Sequence, residues 1–327
     1  MHVIVTGGLG FIGSNFIRLL LNETNHFITN IDAETYAGNP INLEDISSNK
    51  NYQYFKGRIQ DYDLIGDIIK RFNPDVLINF AAETHVDRSI HSAQPFIDTN
   101  IVGTHVLLEV ALKTKLKRFI QISTDEVYGS IEKPHKFKET SPLKPNNPYS
   151  AGKASADLLV RAYTNTHSLS TNIIRCSNNF GPYQFPEKVI PYFISLILEN
   201  KNVPVYGDGL NIRDWVYVED FCRAIQLILE KGKNGEIYNV GAGNEIANID
   251  LTKLILKKFK KSENLIEFIT DRPGHDRRYA MDSTKIQEDL GWKSEYTFEE
   301  ALDKTIQWYK SNTEWIEKTK RTPLKIL

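Results

Sequence analysis

The stretch His2-Val-Ile-Val-Thr6, followed by Gly7-Gly-Leu-Gly-Phe-Ile-Gly13, decides the fold. The first five residues read as a buried strand, and Phe11–Leu21 reads as a helix with apolar faces. Between them Gly7, Gly10 and Gly13 fit GxxGxxG, and Gly8, Gly10 and Gly13 also fit GxGxxG. Glycines there permit a tight turn and let backbone approach a pyrophosphate, which rests on the helix N-terminus. Asp32 ends the second strand 19 residues after Gly13. A carboxylate at that point accepts hydrogen bonds from a ribose diol and repels a 2′-phosphate, so NAD is expected rather than NADP.

Outward from this unit the chain alternates. Strands are expected over Phe27–Ile31, Tyr52–Phe55, Val76–Phe80, Arg118–Ile122 and Thr171–Arg175, and helices over Tyr62–Phe72, Thr99–Lys113 and Ser150–Thr166. Strand–helix alternation with apolar strand runs predicts a doubly wound parallel α/β sheet of the Rossmann type. After about Asn178 the rhythm loosens. Short strands (Val203–Tyr206, Glu236–Val240, Ile266–Ile269) mix with helices (Val189–Glu199, Val218–Lys231, Asp250–Phe259, Phe298–Lys310), which predicts a smaller α+β substrate domain. The expected division is 1–177 for the dinucleotide domain, with a return near 214–232, and 178–327 for the second. The proline-rich segment Ile131–Pro148 reads as a loop over the site.

Forty Lys and Arg against 41 Asp and Glu give a charge near zero, which argues against nucleic-acid binding or a charged membrane surface. The apolar runs are strand-sized, and a glycine loop beginning at Gly7 leaves no room for a signal peptide, so no membrane partner is expected. Cys176 and Cys222 form no CxxC pair; no metal site is expected, and a reduced cytoplasmic setting fits.

Tyr149-Ser-Ala-Gly-Lys153 puts a phenol and an ammonium on one helix face. A phenol with pKa ~10 is a poor base at neutral pH, and a nearby ammonium and a positive nicotinamide ring are expected to lower it. The triplet Thr124-Asp125-Glu126 follows the strand that faces this pair. Adjacent carboxylates tend to split their pKa values, leaving one as an acid and the other as a base, as elimination of water requires. Asp61 is placed either to hold an adenine amino group or to cap the helix that starts at Tyr62. Phe80, Ala81 and Ala82 leave the fourth strand as mostly small residues that let backbone approach a dinucleotide.

These motifs, with Ala81-Ala-Glu-Thr-His-Val-Asp-Arg-Ser89, Arg175-Cys-Ser-Asn-Asn-Phe-Gly-Pro-Tyr183, Gly207-Asp-Gly-Leu-Asn-Ile-Arg-Asp-Trp215 and Asp271-Arg-Pro-Gly-His-Asp-Arg-Arg-Tyr279, resemble the extended short-chain dehydrogenases, and among them the dTDP-glucose 4,6-dehydratase family. The resemblance runs from Met1 to about Leu290. It implies dehydration of dTDP-glucose to the 4-keto-6-deoxy sugar by internal hydride transfer through bound NAD. Thr124 would bind the 4-hydroxyl, Tyr149 would take its proton, Glu126 would take the C5 proton and Asp125 would protonate the departing 6-hydroxyl. Phe11, Ile12, Asp32, Thr35, Ile59, Thr99, Lys153 and Asn179 would match cofactor positions. Thr84, Asn178, Glu187, Lys188, Val205, Tyr206, Arg213, Asn248, Asp271, Arg272 and His275 would match substrate positions. The helices Thr99–Lys113 and Ser150–Thr166 resemble the family's dimer-forming bundle, so a homodimer is expected. Gly57-Arg58-Ile59-Gln60-Asp61 departs from the usual Gly-Asp-Ile-Arg-Asp, and Asp220-Phe221 stands for a usual Asp-His. The competing readings are a nucleotide-sugar 4-epimerase, which has no use for the carboxylate pair, and a non-catalytic NAD-binding regulator.

Overall fold

A computed structural model describes residues 1–320. Its centre is a seven-stranded parallel sheet built from β1 (His2–Thr6), β2 (Phe27–Asp32), β3 (Tyr52–Lys56), β4 (Val76–Asn79), β5 (Phe119–Thr124), β6 (Thr171–Cys176) and an edge strand, Ile237–Val240. From one edge the order is β3, β2, β1, β4, β5, β6, then Ile237–Val240. The order reverses between β1 and β4, and a crevice opens at such a point beyond the carboxyl ends of the strands.

Alternation along the strands sends side chains into two cores. Val3 and Val5 pack on one face with Phe16, Ile17 and Ile225, under the helices Phe11–Glu23 and Val218–Lys231. Ile4 and Leu77 pack on the other with Ile65, Leu107 and Val160. Helices on both faces explain strands that are apolar on both sides.

The helix expected at Thr99–Lys113 is longer. The chain is helical from 94 to 114 and passes through a wide π-helical stretch at Ile97–Gly103. Such stretches recur at functional sites. Here the Asn100 side chain both accepts from Glu83 N (2.9 Å) and donates to Glu83 O (3.0 Å), pinning the segment after β4.

The remaining strands are β7 (Asn178–Phe180), β8 (Val203–Tyr206), β9 (Ile212–Tyr217), β10 (the edge strand Ile237–Val240), β11 (Glu245–Ala247) and β12 (Ile266–Ile269). β11, β9 and β7 form one small sheet, and β12 and β8 another. One sequence expectation is corrected. Glu236–Val240, read as part of the second domain, pairs with β6 instead, Tyr238 opposite Ile174 and Asn239 opposite Arg175. Its membership depends on a pairing across more than sixty residues, which local pattern does not encode. Among the described residues no helix is long and apolar enough to cross a membrane.

Candidate active site

At the carboxyl ends of β1, β2, β4, β5 and β6 lies one long cleft. Its floor at one end is the glycine turn. Gly7 has φ +71, and a Cβ there would come within 2.6 Å of Ala81 N; a Cβ on Gly13 would come within 2.5 Å of Gly7 O. Side chains are thus excluded where β1 meets the helix Phe11–Glu23. That helix has Gly10 as its cap, no side-chain cap and no acid in its first turn, so its positive end faces the cleft unneutralised.

Asp32 closes the far side of the turn. Its carboxylate accepts from Leu9 N (2.9 Å) and Glu34 N (2.8 Å), and each oxygen keeps a lone pair. Burial raises its pKa, opposed by those backbone bonds. Gly10, Phe11, Ile12, Thr35, Ile59, Phe80, Ala81, Ala82, Thr99 and Asn179 line the same cleft. At the inner end Ser123 Oγ, Ser177 Oγ, Asn178 Oδ1 and Asn179 Oδ1 are buried without partners. A cradle free of side chains, an open helix terminus, a diol-accepting carboxylate and orphaned polar atoms are what a dinucleotide requires, so the residues fit NAD.

Asp61 does not line this cleft. Its carboxylate caps the helix Tyr62–Phe72 by accepting from Leu64 N at 3.0 Å, which favours the capping alternative. Arg58 and Gln60 stand at the cleft instead.

The reacting groups meet in the middle. Tyr149 and Lys153 sit one turn apart in the helix Pro148–His167, whose start is fixed by Asn147 accepting from Ser150 N at 2.9 Å. Thr124 ends β5, and its hydroxyl donates to Asp125 Oδ1 at 3.2 Å and accepts from Glu126 N at 3.3 Å. Ser150 Oγ donates to Glu126 Oε2 at 3.1 Å, a role that sequence reasoning assigns to no residue although Ser150 lies inside the quoted motif.

The two carboxylates differ sharply in setting. Asp125 is wholly buried, with Oδ2 unpartnered; burial first, then Glu126 and Asp214, raise its pKa well above the carboxylate range. Its surroundings thus favour the protonated carboxyl, the form an acid needs. Glu126 is only part-buried.

The expected activation of Tyr149 needs amendment. Burial, with Glu126 next, pushes its phenol up, not down. Lys153 Nζ donates to Ile122 O at 2.6 Å, and burial lowers its pKa while Asp157 and Cys176 oppose the drop. Burial, and then the nearby Glu126, therefore favour the protonated phenol; a positive nicotinamide ring, when bound, would supply the expected lowering.

The substrate positions divide. Thr84, Asn178, Glu187 and Lys188 line the cleft, and Lys188 Nζ donates to Thr84 O at 2.8 Å. Val205, Tyr206, Arg213, Asn248, Asp271, Arg272 and His275 do not. Tyr206, Arg272 and His275 cluster in the second lobe: Tyr206 and Arg272 both reach Asp87 (3.4 and 3.2 Å), and His275 meets Asp271 at 2.6 Å. Burial, and then Arg272, lowers the His275 pKa to about 4, so it is neutral. Arg213 is buried, with Nη2 donating to Asp276 O (2.9 Å) and its guanidinium over the Tyr279 ring (4.2 Å). Val205 is buried on β8, and Asn248 opens the helix Asn248–Lys258.

Comparison with known proteins agrees with this geometry. The family model described as GDP-mannose 4,6 dehydratase matches residues 4–305. The low-salt glycan biosynthesis protein Agl12 of Haloferax volcanii is 50% identical over 96% of this chain and 100% of its own. A dTDP-glucose 4,6-dehydratase of Streptomyces niveus is 47% identical over 98% of this chain and 96% of its own. The crystal structure of DesIV, a dTDP-glucose 4,6-dehydratase of Streptomyces venezuelae with NAD bound, has a TM-score of 0.95 at 42% identity, covering 98% of this chain and all of that one. A match across nearly the whole chain, in sequence and in shape, means that this protein belongs to the GDP-mannose 4,6 dehydratase family and is similar within it to the dTDP-glucose 4,6-dehydratases.

Proposed function

We propose that this protein is a lyase that converts dTDP-glucose to dTDP-4-keto-6-deoxyglucose with loss of water. The observation that carries the reading is the carboxylate pair: a wholly buried Asp125, whose surroundings favour its protonated form, beside a part-buried Glu126, both next to Tyr149. NAD, when bound, supplies an acceptor for the C4 hydride, its donor back to C6, and a positive ring charge beside the phenol.

Every proton move belongs to the chain. Thr124 holds the sugar 4-hydroxyl, and Tyr149 removes its proton as C4 is oxidised. The C4 ketone makes the C5 proton acidic, and Glu126 takes it. Asp125 gives its proton to the 6-hydroxyl, which departs as water across the C5–C6 bond. A return of hydride to C6 and of the proton to C5 completes the 6-deoxy sugar. Ser150 aims Glu126, and Lys153 anchors the helix to β5. A 4-epimerase reduces the ketone where it formed and has no use for Asp125.

Substrate labelled with deuterium at C4 tests this. The label is expected in the C6 methyl group of the product, with no net consumption of added NAD. Label returned to C4 would make the protein an epimerase, and label lost to free cofactor would make it an ordinary dehydrogenase.

Two finer statements belong to the same reading. The dinucleotide unit comprises 1–177 with 218–240, since the helix Val218–Lys231 and β10 complete its sheet and faces. The protein works as a homodimer through the helices 94–114 and 148–167, which expose Ile97, Val102 and Leu158 at 41%, 43% and 56%.

A further inference from the structure

Two loops meet over the cleft from opposite sides. One, residues 33–38, leaves the end of β2 directly after Asp32. It turns through Glu34 (φ 50), which Tyr54 Oη binds at 2.7 Å, and closes with Gly38 N donating to Thr35 O at 3.0 Å, leaving Tyr36 at its tip. The other, residues 181–188, is anchored from behind: Tyr309 Oη donates to Gln184 O (2.6 Å) and Asn15 Nδ2 to Pro182 O (3.0 Å). Both line the cleft, the first with Thr35, Ala37 and Gly38, the second with Gln184, Phe185, Glu187 and Lys188.

Their tips are joined. The Tyr36 phenol donates to Glu187 Oε1 at 3.1 Å. Its ring meets Phe185 edge-on at 5.6 Å. Arg88, from the helix Val86–His91, lies over the same ring with its guanidinium carbon 3.8 Å from the centroid and Nη2 3.7 Å from Glu187 Oε2. The Glu187 side chain is 2% exposed. The carboxylate thus takes one directional hydrogen bond, from Tyr36, while its Oε2, without a hydrogen-bond partner, faces the Arg88 charge at 3.7 Å, and three separate segments contribute to the contact.

We propose that Tyr36, Glu187 and Arg88 form a clasp that retains the dinucleotide through turnover. The inference rests on the NAD reading. The loop that carries Tyr36 is continuous with Asp32, the ribose-binding residue, so a dinucleotide held there cannot leave until this loop lifts. The clasp fastens that loop to the substrate side. An enzyme that regenerates its cofactor in each cycle gains nothing from releasing it, and the clasp opposes release without touching the reacting atoms. Tyr36, Glu187 and Arg88 are thus positioning residues. For Glu187 this stands against a direct role on the sugar nucleotide.

The test is retention of NAD by the full-length protein. Tyr36→Phe keeps the ring contacts and loses only the hydrogen bond; Glu187→Gln keeps the shape and loses the charge. Both are purified, scored for NAD content, and diluted into excess unlabelled NAD after loading with radiolabelled NAD. Release is expected to quicken by about tenfold or more in each, and Tyr36→Phe is expected to leave the KM for the nucleotide sugar unchanged at saturating NAD. Release within twofold of the parent in both variants would overturn the clasp, as would a raised KM with release unchanged, which would give Glu187 to the substrate. A parent protein that itself holds no NAD would overturn the cofactor reading and the clasp with it.

Discussion

A carboxyl group without water around it keeps its proton far into the range where exposed carboxyls have lost theirs, and Asp125 is such a group. The consequence for stability has a definite sign. In the unfolded chain this residue ionises near pH ~4; in the fold it stays protonated well above that. Its contribution to stability is therefore full below about pH 4 and is lost as pH rises towards its folded value. Asp125→Asn keeps the shape and removes the titration. Calorimetry is expected to show a higher melting temperature than the parent, by a margin that widens from pH 5 to pH 7. Turnover should fall by about 10²–10⁴-fold, because an amide has no proton to give the departing hydroxyl. An unchanged melting temperature at pH 7 would mean that folding does not raise the Asp125 pKa. The sequence shows Thr124-Asp125-Glu126 plainly but not which carboxylate is the acid. That difference comes first from the burial of Asp125, then from Glu126 beside it and from Asp214, nearly ninety positions away.

At the scale of elements, local signals were the legible ones. The strand–glycine–helix unit, the helix Tyr62–Phe72 and the helix Val218–Lys231 were readable from periodicity. The strands β7, β9 and β11 were not, since β7 and β11 have only three residues each and β9 lies inside a motif whose polar residues mask its period. The helix Val86–His91, which supplies Arg88, is likewise too short to show a period. Caps are legible in principle, and Asp61 stands three residues ahead of the Leu64 amide it satisfies. The two roles weighed for it make different predictions. If it caps, Asp61→Ala costs about 1 kcal/mol of stability, Asp61→Asn costs almost nothing, and both hold NAD as the parent does. Chemical denaturation with a count of bound NAD reads all of these. Loss of NAD from Asp61→Asn at unchanged stability would return the residue to the adenine site.

For the molecule as a whole, the apolar surface on the helices 94–114 and 148–167 has a direct test. Ile97, Val102 and Leu158 are 41%, 43% and 56% exposed in the single chain, an apolar group on these helices that a second surface would cover. Light scattering at micromolar concentration is expected to give twice the chain mass for the parent and the single mass for Leu158→Glu, with circular dichroism unchanged. A parent that runs as a monomer would dismiss the homodimer. The sheet carries a further consequence. β10 completes it only after the chain has left at Cys176, built much of the second lobe and come back at Ile237. While the polypeptide is still emerging from the ribosome, β6 is thus an unpaired border, presenting the amide groups of Ile173 and Ser177, which later bond Glu236 O and Val240 O, to whatever strand passes by. The nascent first half is unfinished, not a folded unit awaiting a neighbour. A gene cut after codon 177 is accordingly a recipe for inclusion bodies, and the two halves of this enzyme have to be inherited, and exchanged between relatives, together.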